Sequence, residues 1–140
     1  MEASITLKKV GKLIGDKTIL AGLSFGIERG SLVAIVGLND SGKSILLKLL
    51  SGYENPNYGQ VFVQGLDMEK RRSETRKLIG YVSYENDLDP WLTIKQNIRF
   101  NANLYSVNNI LFKERLKKYS SVLDLGPYLN EYAFRVSGGI

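Results

Sequence analysis

The chain has no cysteine and no histidine among its 140 residues. Without cysteine no disulfide can staple it and no thiolate can serve as a nucleophile. Without either residue the usual zinc ligands are missing, and every mechanism built on an imidazole base is excluded. Long apolar runs are also lacking. The longest, at residues 32–36 and 45–50, stop far short of the roughly 20 residues needed to cross a bilayer. The opening "MEASITLKKV" has no apolar core ahead of a small-residue cleavage site, so no secretory signal is read there and a cytoplasmic location is the expectation. Low-complexity tracts, internal repeats and long linkers are absent as well.

What is present is a chain with 44% hydrophobic side chains, enough for one globular domain or a large part of one. The net charge of +5 does not come from one basic stripe. Its lysines and arginines fall into separate groups: Lys8, Lys9 and Lys12; residues 70–72 with Arg76 and Lys77; and residues 113–118, interrupted by Glu114. Scattered groups of this kind read as solvated surface, and no nucleic-acid partner is expected.

Apolar residues alternate with polar ones at Ile5 and Leu7 and again at Leu23, Phe25 and Ile27, which predicts two half-buried strands. After Gly30 comes "LVAIVG", a continuous β-branched run that predicts a strand covered on both faces. In "GKSILLKLLSG", Ile45, Leu46, Leu49 and Leu50 share one helical side and Gly52 is the stop. "GQVFVQG" and "LIGYVSY" predict two more strands. Thr93 and Gln96 have capping-box spacing and open a helix to about Tyr105. Phe112, Leu116, Tyr119 and Leu123 then mark a second amphipathic helix, ended by Gly126 and Pro127. The order is β-rich first, a loop and helix in the middle, and helical after residue 93.

Between the expected buried strand and the helix lies "GLNDSGKS": Gly37, Leu38, Asn39, Asp40, Ser41, Gly42, Lys43 and Ser44. It matches G-x-x-x-x-G-K-[ST], the phosphate loop. A chance match in a chain of this length has a probability of roughly one in two hundred at average residue usage, and the strand-loop-helix context is the required one. Phosphate oxygens need several converging backbone N–H groups, hence a loop whose chain approaches closely and takes positive φ in places. The helix that follows adds its free amides and positive dipole end. Lys43 is expected to reach the β- and γ-phosphates of ATP, and Ser44 to ligate Mg²⁺ through its hydroxyl. Asp40 is unusual here, since a carboxylate 4 Å from a phosphate charge costs about 4 kcal/mol at an effective dielectric of 20. Aspartate does accept a left-handed backbone, so it reads as a substitute for glycine with its side chain directed away.

Together these stretches resemble the nucleotide-binding domain of ABC transporters from Ile5 onward. "LAGLSFGIERGSLVAIVGLNDSGKSILLKLLSG" is similar to that family's strand, turn, Walker A loop and helix. "IGYVSYENDLDPWLTIKQNI" resembles the region of its Q-loop, and "RVSGGI" its L-S-G-G-Q signature. The "NDLDPWLTIKQNI" wording with "LY" after it is similar to multidrug, antibiotic or ABC-2-type exporters. The resemblance implies an α/β P-loop NTPase fold: an N-terminal β subdomain and partial RecA-like core over about 1–92, and a helical subdomain over about 93–140. It implies a cut at "RVSGGI", because the family's Walker B aspartate, catalytic glutamate and switch histidine follow the signature. It also implies two partners, a membrane-spanning subunit and a second nucleotide-binding domain, whose γ-phosphate Ser137, Gly138 and Gly139 would contact. A peripheral position on the cytoplasmic face of the membrane follows.

Three positions depart from the family. Tyr84 stands where the Q-loop glutamine belongs and lacks its amide carbonyl. Ile14 stands where an aromatic stacks on adenine. Ile140 replaces the last glutamine of the signature. No catalytic residue is assigned within the chain. The leading expectation is an energy-coupling ATP-binding component that is inactive in hydrolysis by itself. A non-catalytic nucleotide-binding module stays open, as does a P-loop kinase, against which stand the β-rich segment before the loop and the late "VSGG".

Overall fold

A computed structural model describes residues 3–83 and 87–136 of the chain. These belong to two compact units, Met1–Tyr81 and Val82–Ile140. Tyr84, Ser137, Gly138, Gly139 and Ile140 lie outside the described residues.

The first unit is built on an antiparallel sheet. Strands β1 (Ala3–Ile14) and β2 (Lys17–Glu28) form a hairpin around Gly15 and Asp16. Strand β3 (Tyr58–Val63) pairs with the other edge of β1, and the short β4 (Leu66–Asp67) pairs with β3, giving the order β2-β1-β3-β4. Leu7 sits opposite both Phe25 and Val61. The register slips between Leu7 and Val10, where Lys9 takes a positive φ of 49° and its N–H donates to Ser24 Oγ at 2.8 Å. This irregularity lets both Leu7 and Val10, three apart, face the core; strict alternation would have turned one of them out.

Onto that face packs helix α1 (Lys43–Leu50). Its Leu46, Leu49 and Leu50 join Leu7, Val10, Leu20, Val61, Val63 and Met68 in one core. Each such side chain contributes about 1.5–3 kcal/mol through burial. The helix ends as expected, with Gly52 at φ +70°. Helix α2 (Arg72–Arg76) then aims Arg72 and Arg76 at the carbonyl of Gly52, at 3.2 and 2.8 Å, placing two cations at the negative end of α1.

Two expected strands are not formed. Residues 31–38, including "LVAIVG", have no strand conformation, and Val36 is 87% exposed instead of covered on both faces. Residues 78–83 of "LIGYVSY" likewise carry no strand, with Val82 94% exposed. Apolar, β-branched side chains favour a pleated backbone only when a neighbour supplies its hydrogen bonds. Among the described residues no strand lies alongside either segment, and no pairing is parallel.

In the second unit, α3 (Ile94–Leu104) opens on the expected capping box. Thr93 Oγ1 accepts from the Gln96 N–H at 3.2 Å and Gln96 Oε1 accepts from the Thr93 N–H at 2.8 Å. Two further first-turn donors, the N–H groups of Ile94 and Lys95, reach the carbonyls of Glu131 and Leu129, so the start of α3 is tied to the chain that approaches "RVSGGI". Buried Asn97 fastens the turn before the helix. Its Oδ1 accepts from the Asp89 N–H at 2.9 Å, and its Nδ2 donates to the carbonyls of Asp89, Leu92 and Thr93.

Helix α4 (Asn109–Val122) is capped by Asn108, whose Oδ1 accepts from the Leu111 N–H. It ends at Val122, ahead of Gly126 and Pro127. Only its first half keeps the expected apolar stripe inside: Phe112 is buried and Leu116 half-buried, whereas Tyr119 and Leu123 are exposed.

Candidate functional site

The phosphate loop leaves the exposed segment and turns into α1. Ser41 donates its N–H to the Leu38 carbonyl at 3.3 Å, and Asp40 takes φ +60°. A left-handed aspartate is what the sequence led us to expect there. Gly42 follows at φ +89° as the helix N-cap, with no side-chain cap. An N-cap lacking an acceptor side chain leaves the first-turn N–H groups free to bind an anion. A Cβ at this position would lie 2.9 Å from Leu20 Cδ2 and 3.0 Å from Ile19 Cγ2, so glycine is required by both conformation and space.

Lys43 is folded over its own loop. Its Nζ donates to the carbonyls of Gly37 and Leu38 at 2.9 and 2.7 Å, which holds the ammonium where the loop curls. Ser44, the second residue of α1, is exposed.

Gly42, Lys43, Ser44 and Asp40 line one cleft of about 300 Å³ together with Ile14, Lys17, Ile19 and Ile45. Of the sequence-predicted loop residues, these four are brought together at the cleft. Gly37, Leu38, Asn39 and Ser41 form the curl beside it. Ile14, expected at the adenine position, opens onto the same cleft from the end of β1. Lys17, Ile19 and Ile45 were missed by sequence reasoning. The signal for Lys17 was the Gly15-Asp16 pair, a hairpin dipeptide that brings the start of β2 back beside the end of β1.

The donor set suits a polyphosphate: two ammoniums, those of Lys17 and Lys43, a helix start and the Ser44 hydroxyl, beside an apolar wall of Ile14, Ile19 and Ile45. It holds one carboxylate, Asp40. Among the described residues no group of three or more acidic or other metal-binding side chains occurs. Ser44, exposed in the first turn of α1, is the residue that would hold a magnesium ion, through its hydroxyl oxygen.

The ABC transporter family, by that description, matches residues 20–140. A probable sulfate/thiosulfate import ATP-binding protein from Chlorella vulgaris is 31% identical over 136 residues, which are 97% of this chain and 57% of the relative. A sulfate/thiosulfate import ATP-binding protein from Synechocystis is 35% identical over 97% of this chain and 38% of its own length. An Fe(3+) ions import ATP-binding protein from Mannheimia succiniciproducens is 29% identical over 96% and 38%. The chain thus spans little more than half, or less, of the relatives it matches. These relatives are importers, unlike the exporters that "NDLDPWLTIKQNI" resembles. Among solved structures, the ATP-binding subunit of an ABC transporter superposes with a TM-score of 0.85 at 24% identity, over 96% of this chain and 56% of that one. The dimeric bacterial ABC transporter cassette MJ0796 superposes with a TM-score of 0.84 at 24% identity, over 96% and 64%. Both show the shared fold.

Proposed function

This chain belongs to the ABC transporter family, and from that membership we propose that it binds ATP as the energy-coupling component of a transporter. The observation that carries the reading is the single cleft in which Gly42, Lys43 and Ser44 meet the apolar wall of Ile14, Ile19 and Ile45. The phosphates would lie on the α1 start and the loop amides. Lys43 would leave the carbonyls of Gly37 and Leu38 to pair with them. Magnesium, held by Ser44 and phosphate oxygens, would neutralise charge between the β- and γ-phosphates. Ile14 offers apolar contact to the base without π-stacking, so binding is expected to be weak and to discriminate little among nucleoside triphosphates.

The partners we propose are a membrane-spanning subunit and a second nucleotide-binding domain, with Ser137, Gly138 and Gly139 facing the nucleotide of that second domain. No helix among the described residues is long and apolar enough to cross a membrane. Attachment to a membrane would run through the spanning subunit, on the cytoplasmic face.

Calorimetric titration of wild type and Lys43→Ala with Mg-ATP tests the proposal. Loss of a charge-assisted hydrogen bond to phosphate is worth about 1.5–3 kcal/mol, so Lys43→Ala should bind roughly ten- to a hundredfold more weakly. Equal affinity in the two proteins removes the phosphate loop from the argument.

A further inference from the structure

Several cations of the first two basic groups have partners in the fold. Lys12 pairs with Glu54 at 2.9 Å and Lys8 lies over the Phe62 ring. In the second group Arg71 pairs with Glu74, while Arg72 and Arg76 cap α1. In the third group Lys118 lies over the Tyr119 ring, but two of its lysines face a cleft. Lys113 and Lys117 stand one turn apart on α4, Lys95 and Arg99 stand one turn apart on α3, and all four line a cleft of about 440 Å³.

No carboxylate lines that cleft. Among the described residues, none of the four cations is in an ion pair. Like charges one helical turn apart repel, and here two such pairs face one space. Arg99 is held in place: it donates to Asn109 Oδ1 and its guanidinium lies 4.5 Å from the centroid of Phe112. Phe112, Leu116 and Leu129 give the cleft an apolar floor. Charge alone would need no such floor, and an apolar ligand alone would gain nothing from four cations. The volume lies within the range of small-molecule sites.

We propose that this cleft binds a phosphate group carried on an apolar chain, the phosphate between the lysines of α3 and α4 and the chain along Phe112, Leu116 and Leu129. Such a ligand is either a lipid of an anionic bilayer or a dispersed amphiphile of the same chemistry.

The full chain is titrated calorimetrically with dihexanoyl phosphatidic acid below its micelle concentration, and separately with inorganic phosphate. We expect saturable binding of the lipid, weaker by about tenfold or more for inorganic phosphate and for Lys113→Ala/Lys117→Ala. Lys8→Ala/Lys9→Ala, which removes the same charge elsewhere, should change it by less than about twofold. Circular dichroism confirms that the two double variants keep their helix. Lack of saturable binding, equal loss in the two variants, or inorganic phosphate binding as tightly as the lipid overturns the proposal. Sedimentation with phosphatidylcholine vesicles carrying phosphatidic acid then separates the sources. Capture that depends on Lys113 and Lys117 assigns the bilayer lipid. Soluble binding without capture assigns the dispersed amphiphile.

Discussion

Gly42 and Leu20 approach so closely that a methyl group on Gly42 would meet Leu20 Cδ2 at 2.9 Å. Leu20 is itself 7% exposed and part of the core, so the phosphate loop rests directly on packed interior. Gly42→Ala should lower the stability of the chain by about 1–3 kcal/mol and weaken ATP binding at the same time. Thermal melts and titrations of one preparation check both. A variant that kept full stability would show that the α1 start can move away from β2.

Asp40→Gly is expected to tighten ATP binding roughly three- to thirtyfold. Asp40 lines the cleft, whereas the sequence reading directs its side chain away, and its backbone stands at φ +60°, a conformation glycine adopts without strain; the substitution removes a charge that would repel phosphate. The gain should shrink as salt is raised, because screening already weakens that repulsion. Unchanged affinity at low salt would mean that the carboxylate is directed away from the phosphates.

Ile14→Tyr should raise affinity for ATP and GTP about two- to tenfold, the worth of one aromatic stack, and leave the affinity for tripolyphosphate unchanged. The tripolyphosphate arm is decisive. If it improves as well, Ile14 acts on the loop and not on the base.

Asn97→Ala should cost about 1–3 kcal/mol in the second unit, since it strands the Asp89 N–H that this 3%-exposed side chain now serves, while the carbonyls of Asp89, Leu92 and Thr93 keep backbone donors from Leu92, Ala133 and Asn97. A melt followed by far-ultraviolet circular dichroism reads it. Mg-ATP affinity should hardly move, because Asn97 does not line the nucleotide cleft.

The purified chain should show no sustained ATP turnover. Hydrolysis needs a base that activates water in line with the leaving phosphate. The chain has no histidine, and the one carboxylate lining the cleft, Asp40, belongs to the loop itself and would sit on the loop side of bound phosphates. Repeated phosphate release that disappears in Lys43→Ala would reveal a base among groups assigned no such role above.

Much of this was legible in the residues. Alternation found β1, β2 and β3, spacing found α1 and α3, and Thr93 with Gln96 announced their own reciprocal bonds. The phosphate loop was legible because its geometry demands particular residues at particular positions. The missed features depend on what lies across from a residue. "LVAIVG" has every side chain a buried strand needs, but a strand is a property of two chains. Tyr119 and Leu123 continue a helical stripe but stand exposed among the described residues. Lys113 and Lys117 are exposed, as solvated charge should be; that α3 brings Lys95 and Arg99 to the same cleft is what the residues could not show. The slip at Lys8 and Lys9, which lets Leu7 and Val10 share a face, leaves no mark that composition can reveal.

The two-residue connection between β1 and β2 also has a kinetic consequence. Ladders closed by so short a loop form in about 1–10 μs, whereas β3 must return from Tyr58 to reach β1, at a greater cost in chain closure. Residues 37–44 lie inside that longer excursion. The phosphate loop is therefore ordered only when the slower closure is complete, after the hairpin that will support it. A nucleotide bound there stabilises contacts absent from the folding transition state, so it should slow unfolding and leave the folding rate nearly untouched.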